Sequence, residues 1–155
     1  MKPFSLSIAV VVLFAAAANA DQQYKVWNKF FAGTWQLESE DGRAEQDLKL
    51  VADGEALIGT SESDSGETSA WILGWYPAKK QIVHQWFGAN HGRALYKVID
   101  DKTLRGRGEI HDSDTITKGT VTVTKTGEDS FTVHWTEVTA NGKKVKDIRV
   151  EATRK

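Results

Sequence analysis

The sequence contains no cysteine. That absence excludes a disulfide framework, a thiolate nucleophile and any cysteine-ligated metal. A dominant charge is missing as well: 20 Lys and Arg face 21 Asp and Glu, and no basic run is longer than Lys143-Lys144. Such a chain has no strong field to gather nucleic acid or an anionic membrane, and no nucleic-acid partner is expected. Familiar catalytic signatures are also missing. There is no Gly-x-Ser-x-Gly, no Gly-x-x-x-x-Gly-Lys phosphate loop and no carboxylate pair that spacing alone brings to glycosidase distance. The four histidines (His84, His91, His111 and His134) lie on separate segments without a His-x-x-x-His, so spacing gives no zinc signal, and a lone histidine does not specify haem. No catalytic residue, metal or cofactor is assigned from the sequence.

A long apolar run is scarce too. The one extended run, Leu6 to Ala18, is thirteen residues, short of the roughly 20 needed to span a bilayer. Lys2 precedes it and Ala18-Asn19-Ala20 follows as a small-x-small site, which predicts a secretory signal over residues 1–20. The expected location is secreted or periplasmic, with no stable membrane span after signal removal. Residues 21–155 then form one domain, long enough to bury about two-thirds of its unfolded surface without disulfides.

Behind the signal, Tyr24, Trp27, Phe30 and Phe31 fall at helical spacing and Gly33 supplies a stop, predicting a short amphipathic helix lying against the end of something larger. From Gly33 onward turn signals recur about every ten residues, from Asp41-Gly42 and Asp53-Gly54 through Pro77-Ala78-Lys79-Lys80 to Asn141-Gly142. The runs between them alternate with period two, as in "SFTVHWTEV" and "TVTVTK", and leave no room for crossover helices. The expected fold is all-β: an antiparallel up-and-down barrel of about ten strands, preceded by the short helix. Closure removes the two exposed edges of so long a meander, and a two-sheet sandwich would need longer connections.

What the chain does have is concentrated aromatic surface. "WILGWYPAKKQIVHQWFGANHG", residues 71 to 92, holds three of six tryptophans and two of four histidines. As a hairpin it places Trp71, Leu73 and Trp75 on one face, with Ala70, Ile72, Gly74 and Tyr76 on the other. Both faces are apolar, so each needs a cover. The barrel interior serves for one, and the N-terminal helix, a partner or a homo-oligomer for the other. The interior is either packed solid or holds one small cavity. In the second case Trp75, His84 and Trp86 lead the candidate ligand-binding residues, with Tyr96 and Trp135 as neighbours. Arg107, in "LRGRGEIHD", is a candidate to pair a ligand carboxylate.

Gly33-Thr34-Trp35, directly after a short helix, is similar to the opening of lipocalins and other calycin barrels. That resemblance implies that Trp35 plugs one end of the barrel and that a basic residue near the chain end, Arg149 or Arg154, packs across it. Over residues 30 to 155 the order "GTW", "VADGEALIGTSES", "ILGWYPAKKQIVHQW", "LRGRGEI" and "RVEATRK" resembles a family of exported bacterial lipocalin-like proteins catalogued as a domain of unknown function. The likeness implies a calycin-like barrel and no particular activity. The chain departs from true lipocalins in lacking their cysteines and a Thr-Asp-Tyr-like middle motif. The expected function is the binding of a small apolar or amphipathic molecule inside an exported barrel. The alternatives are an enzyme using a cavity histidine, His84 or His134, as general base, and an envelope interaction module.

Overall fold

The computed structural model describes residues 22–155; the expected signal over residues 1–20 lies outside them. A helix, α1, spans residues 22–31. It leads into β1 (Gly33–Ser39), β2 (Gly42–Val51), β3 (Ala56–Ser63), β4 (Thr68–Tyr76), β5 (Gln81–Gly88), β6 (His91–Val98), β7 (Thr103–Asp112), β8 (Thr115–Gly127) and β9 (Ser130–Ala140). A two-residue strand, β10 (Lys143–Lys144), pairs with β9, and β11 (Ile148–Arg154) completes the chain. Every strand from β1 to β9 pairs antiparallel with the next, and β11 pairs with both β9 and β1. The result is a closed ten-strand antiparallel barrel with one short helix before it.

The turn signals explain why the chain reverses where it does. Asp41, Asp53-Gly54, Pro77 to Lys80 and Asn141-Gly142 all fall on or beside strand connections. Lys80 and Asn141 adopt positive φ there, as tight reversals require. Between turns, alternation sets which side chains enter the barrel. On β2, Gln46 and Leu48 are buried while Glu45 and Lys49 face solvent. One exception is instructive. Phe131 and Trp135 on β9 are buried at even spacing, but the next buried residue is Val138. Glu137 between them has φ 54°, and the β8–β9 register slips between Lys118 and Thr120. The extra residue is a bulge that turns β9 by one position.

Helix α1 closes one end of the barrel with its aromatic face. Tyr24, Trp27 and Phe31 are buried. The Tyr24 hydroxyl donates to the Glu55 carbonyl, and Asn28 Nδ2 donates to the Gly54 carbonyl at 2.7 Å, tying the helix to the β2–β3 connection. Lys125 Nζ sits 4.0 Å above the Trp27 ring on the other side, and burial lowers its pKa.

The join between α1 and the barrel is built around Trp35 and Arg154. Trp35 is fully buried, its indole N–H donates to the Phe31 carbonyl at 2.8 Å, and its ring lies edge-on to Phe131 at 4.8 Å. The Arg154 guanidinium rests 4.3 Å over the Trp35 ring. It donates to the Phe30 and Ala32 carbonyls at 2.7 Å each and pairs with Asp129 at 2.8 Å. Those two carbonyls belong to the end of α1, where acceptors lack intrahelical partners. Gly33 is the residue that lets the guanidinium in: its φ is +121°, and a Cβ there would lie 2.6 Å from Arg154 Nη1. Of the two arginines that the Gly-x-Trp pattern leaves open, Arg154 occupies this position. Arg149 lies on the outer face and pairs with Glu151.

Arg154→Met retains the stem over Trp35 and removes the charge and the hydrogen bonds. A loss of about 2–3 kcal/mol is expected, a fall in melting temperature of roughly 7–10 °C. Thermal unfolding of the variant, set against Arg149→Met with little change, checks this.

Candidate functional site

The barrel is not filled. A cavity of ≈ 270 Å³ lies along its interior, reaching from Phe31 and Phe131 beside α1 to Ile110 and Ile148 toward the opposite end. Its wall is Leu37, Leu48, Leu73, Leu104, Val123, Val133 and Val150 together with Trp71, Trp86, Tyr96 and Trp135. Two further polar side chains reach it, Gln46 and His84. Among the described residues that line it there is no Asp, Glu, Lys or Arg.

The aromatic part of the wall is held in place from behind. Trp71 on β4 and Trp86 on β5 are directly opposite in register, and their rings stack at 5.9 Å. The Trp71 indole N–H donates to the hydroxyls of Ser61 at 3.0 Å and Ser69 at 2.8 Å, an opposed pair on β3 and β4. The Trp86 N–H donates to Asn90 Oδ1 at 3.1 Å, from the β5–β6 turn. Both indoles thus have their one polar atom satisfied outside the cavity and present apolar faces to it. Across the barrel, Trp135 packs onto the bare backbone of Gly108, where a Cβ would lie 2.5 Å from its Cη2.

His84 sits within this aromatic group. Its imidazole stacks on Trp71 at 4.7 Å and 24°, and on Tyr96 at 6.3 Å and 23°, with Trp86 tilted at 5.0 Å. Its cross-strand partners are Leu73 and Ala94, which offer no side-chain polar atom. Its Nε2 is buried with no hydrogen-bond partner, an arrangement that costs about 1–3 kcal/mol and is uncommon in native interiors. Burial pushes the imidazole pKa down to about 3, so the ring is neutral across the physiological range, and the same burial raises the Tyr96 phenol.

Of the sequence-predicted site residues, His84, Trp86, Tyr96 and Trp135 line the cavity together. Trp75 does not: it stacks on Tyr24 of α1 at 5.1 Å, nearer the plugged end than the cavity wall. Arg107 is a clear correction. It is exposed, because β7 turns Leu104 and Gly108 inward and the alternate arginines outward. His134 is likewise outside, 44% exposed and 3.8 Å from Asp147. His91 and His111 are opposed on β6 and β7, with rings 4.9 Å apart, on the outer face. No group of three or more His, Asp or Glu that could hold a metal occurs among the described residues. Trp71, Gln46 and the aliphatic wall were missed. Trp71 shares the face of Leu73, and Gln46 falls in phase with Ala44 and Leu48, so alternation carried both signals.

The outer face of β4 differs from expectation too. Helix α1 plugs the barrel end and leaves Ile72 and Tyr76 each 45% exposed. Ile58 is directly opposite Ile72, and Phe87 opposite Ala70, and both are also exposed. No helix among the described residues is long and apolar enough to cross a membrane.

The depressed histidine pKa gives a signed pH effect. In the unfolded chain His84 takes a proton near pH 6.5; in the barrel it resists until about pH 3. Between those values the unfolded state binds the extra proton, so this contribution is fully present above pH 6.5 and is lost as pH falls toward 3. The slope reaches about 1.4 kcal/mol per pH unit. In His84→Phe that slope is removed, so denaturant titrations at pH 7, 5 and 4 should show the variant gaining on the native protein as pH drops.

No protein-family model matches the chain, and comparison with the curated proteins finds no significant relative.

Proposed function

We propose that this protein is an exported barrel that binds one small, largely apolar molecule in its interior. The observation that carries this reading is the preserved hollow. Three indoles and a phenol surround it, yet ≈ 270 Å³ stays open. Protein interiors normally close such gaps, since lost contacts and lost packing are costly. A wall this apolar holds water poorly, whereas a cavity of about 150 Å³ suffices for benzene. The volume here suits two fused rings or a short aliphatic chain, at the lower edge of the usual ligand-pocket range of about 300–1,000 Å³. The export part of the reading is supported by the apolar run and small-x-small site at the start of the sequence. The lipocalin-like resemblance fits the same picture, a closed barrel preceded by a short helix.

A general-base enzyme is less well supported by the geometry. His84 Nε2 has no hydrogen-bond partner to orient the ring, and a pKa near 3 leaves it a weak base at neutrality. His134 lies on the wrong side of the sheet.

Titration of the purified protein with benzene, naphthalene and pyrene checks the reading through tryptophan emission and thermal shift. Saturable one-to-one binding that strengthens from benzene to naphthalene and fails at pyrene is expected. Val123→Phe, which projects a ring into the hollow, should weaken naphthalene at least tenfold while leaving the fold intact. A native protein indifferent to both smaller probes would overturn the proposal.

A further inference from the structure

The wall of the cavity restricts the chemistry of its occupant further than size does. No cationic side chain faces it among the described lining residues, and Arg107, the residue expected to meet a carboxylate, points to solvent. An ionised ligand would be stripped of water with nothing to balance its charge, which a low-dielectric interior penalises heavily. A neutral ligand meets no such barrier. The aromatic surfaces of Trp71, Trp86 and Tyr96 favour a flat guest, since offset and edge-on ring contacts add to simple burial. Of the lining side chains, His84 has a buried nitrogen without a partner, its Nε2, and its ring stacks on Trp71 and Tyr96.

We infer that the ligand is a neutral, planar aromatic molecule of one or two rings bearing a hydroxyl or ring N–H, a phenol- or indole-class compound, whose polar hydrogen is received by His84. This rests on the hollow-barrel reading above and narrows it. A neutral imidazole offers one acceptor and one donor nitrogen, so it can take the hydrogen of such a group without any proton transfer. Long-chain fatty acids are disfavoured on both counts, by the ≈ 270 Å³ volume and by the lack of a cation in the wall. Gln46 and Tyr96, which also reach the cavity, are polar side chains available to a second heteroatom.

Three probes of nearly equal shape separate the outcomes: naphthalene, 2-naphthol and 2-naphthoate, each titrated at neutral pH into the native protein and into His84→Phe. The native protein should bind 2-naphthol about 5–10-fold more tightly than naphthalene, the range one net hydrogen bond supplies, and should bind 2-naphthoate weakest. In His84→Phe the preference for 2-naphthol should vanish while naphthalene still binds. In case that variant does not fold, ¹⁵N spectra of the native protein give an independent reading. The His84 imidazole nitrogens should shift on adding 2-naphthol and much less with naphthalene. Naphthalene bound as tightly as 2-naphthol, 2-naphthoate bound best, or an unmoved imidazole would overturn this inference and leave the binding cavity standing. Failure of all three probes would remove the cavity reading itself.

Discussion

Arg154 holds together three parts of the molecule that sequence keeps apart. It lies on the last strand, stacks on Trp35 of the first, donates to carbonyls at the end of α1 and pairs with Asp129 in the β8–β9 turn. Each of these contacts is local, but their sum fixes the seam of the barrel to the plug at its base. With that end shut by Tyr24, Trp27, Phe31 and Trp35, the interior above it need not be packed for the structure to be stable. The hollow is therefore a consequence of where the aromatic mass was placed. Much of it lies at the floor, and the remainder lines the walls.

The same division explains the chemistry of the cavity. Closed barrels gather polar groups only where alternation and register bring them inward. Here the charged positions of β2, β6 and β7 turn out, where Arg93, Glu109 and Lys118 form their own network. The interior receives the Trp71 and Trp86 indoles with their N–H groups tied back to Ser61, Ser69 and Asn90, and a histidine whose Nε2 has no partner. Among the side chains that line the cavity, that nitrogen is the buried polar atom without a partner.

Much of the fold was legible from the chain. Period-two runs separated by Asn-Gly, Asp-Gly and Pro-led turns leave little choice but an antiparallel meander, and its length favours closure. The helix before it was legible from four aromatics at helical spacing. The site was less so. Which face of each strand turns inward depends on register, and register is set jointly by every neighbour. Trp71 and Trp75 share a face, yet only one reaches the cavity, because the other meets α1. Arg107 looked free to turn inward, but β7 follows the phase of Leu104 and Gly108. The bulge at Glu137 has no sequence signature beyond a broken alternation, and it changes which β9 side chains are inside. Whether a barrel is hollow depends on summed volumes, which no motif records.

The closing seam also bears on how the molecule is made. Trp35 and Arg154 are direct partners in the β1–β11 ladder, although they stand at opposite ends of the barrel sequence. Chains dominated by such distant pairings fold slowly, because loop closure must be met before the contact forms. As the chain folds, β1 can pair with β2 at once, but its other edge stays bare until β11, at the far end of the barrel sequence, reaches it. Until then the sheet is open and its unpaired β1 edge can take a strand from another molecule, so closing the seam is the step that competes with association.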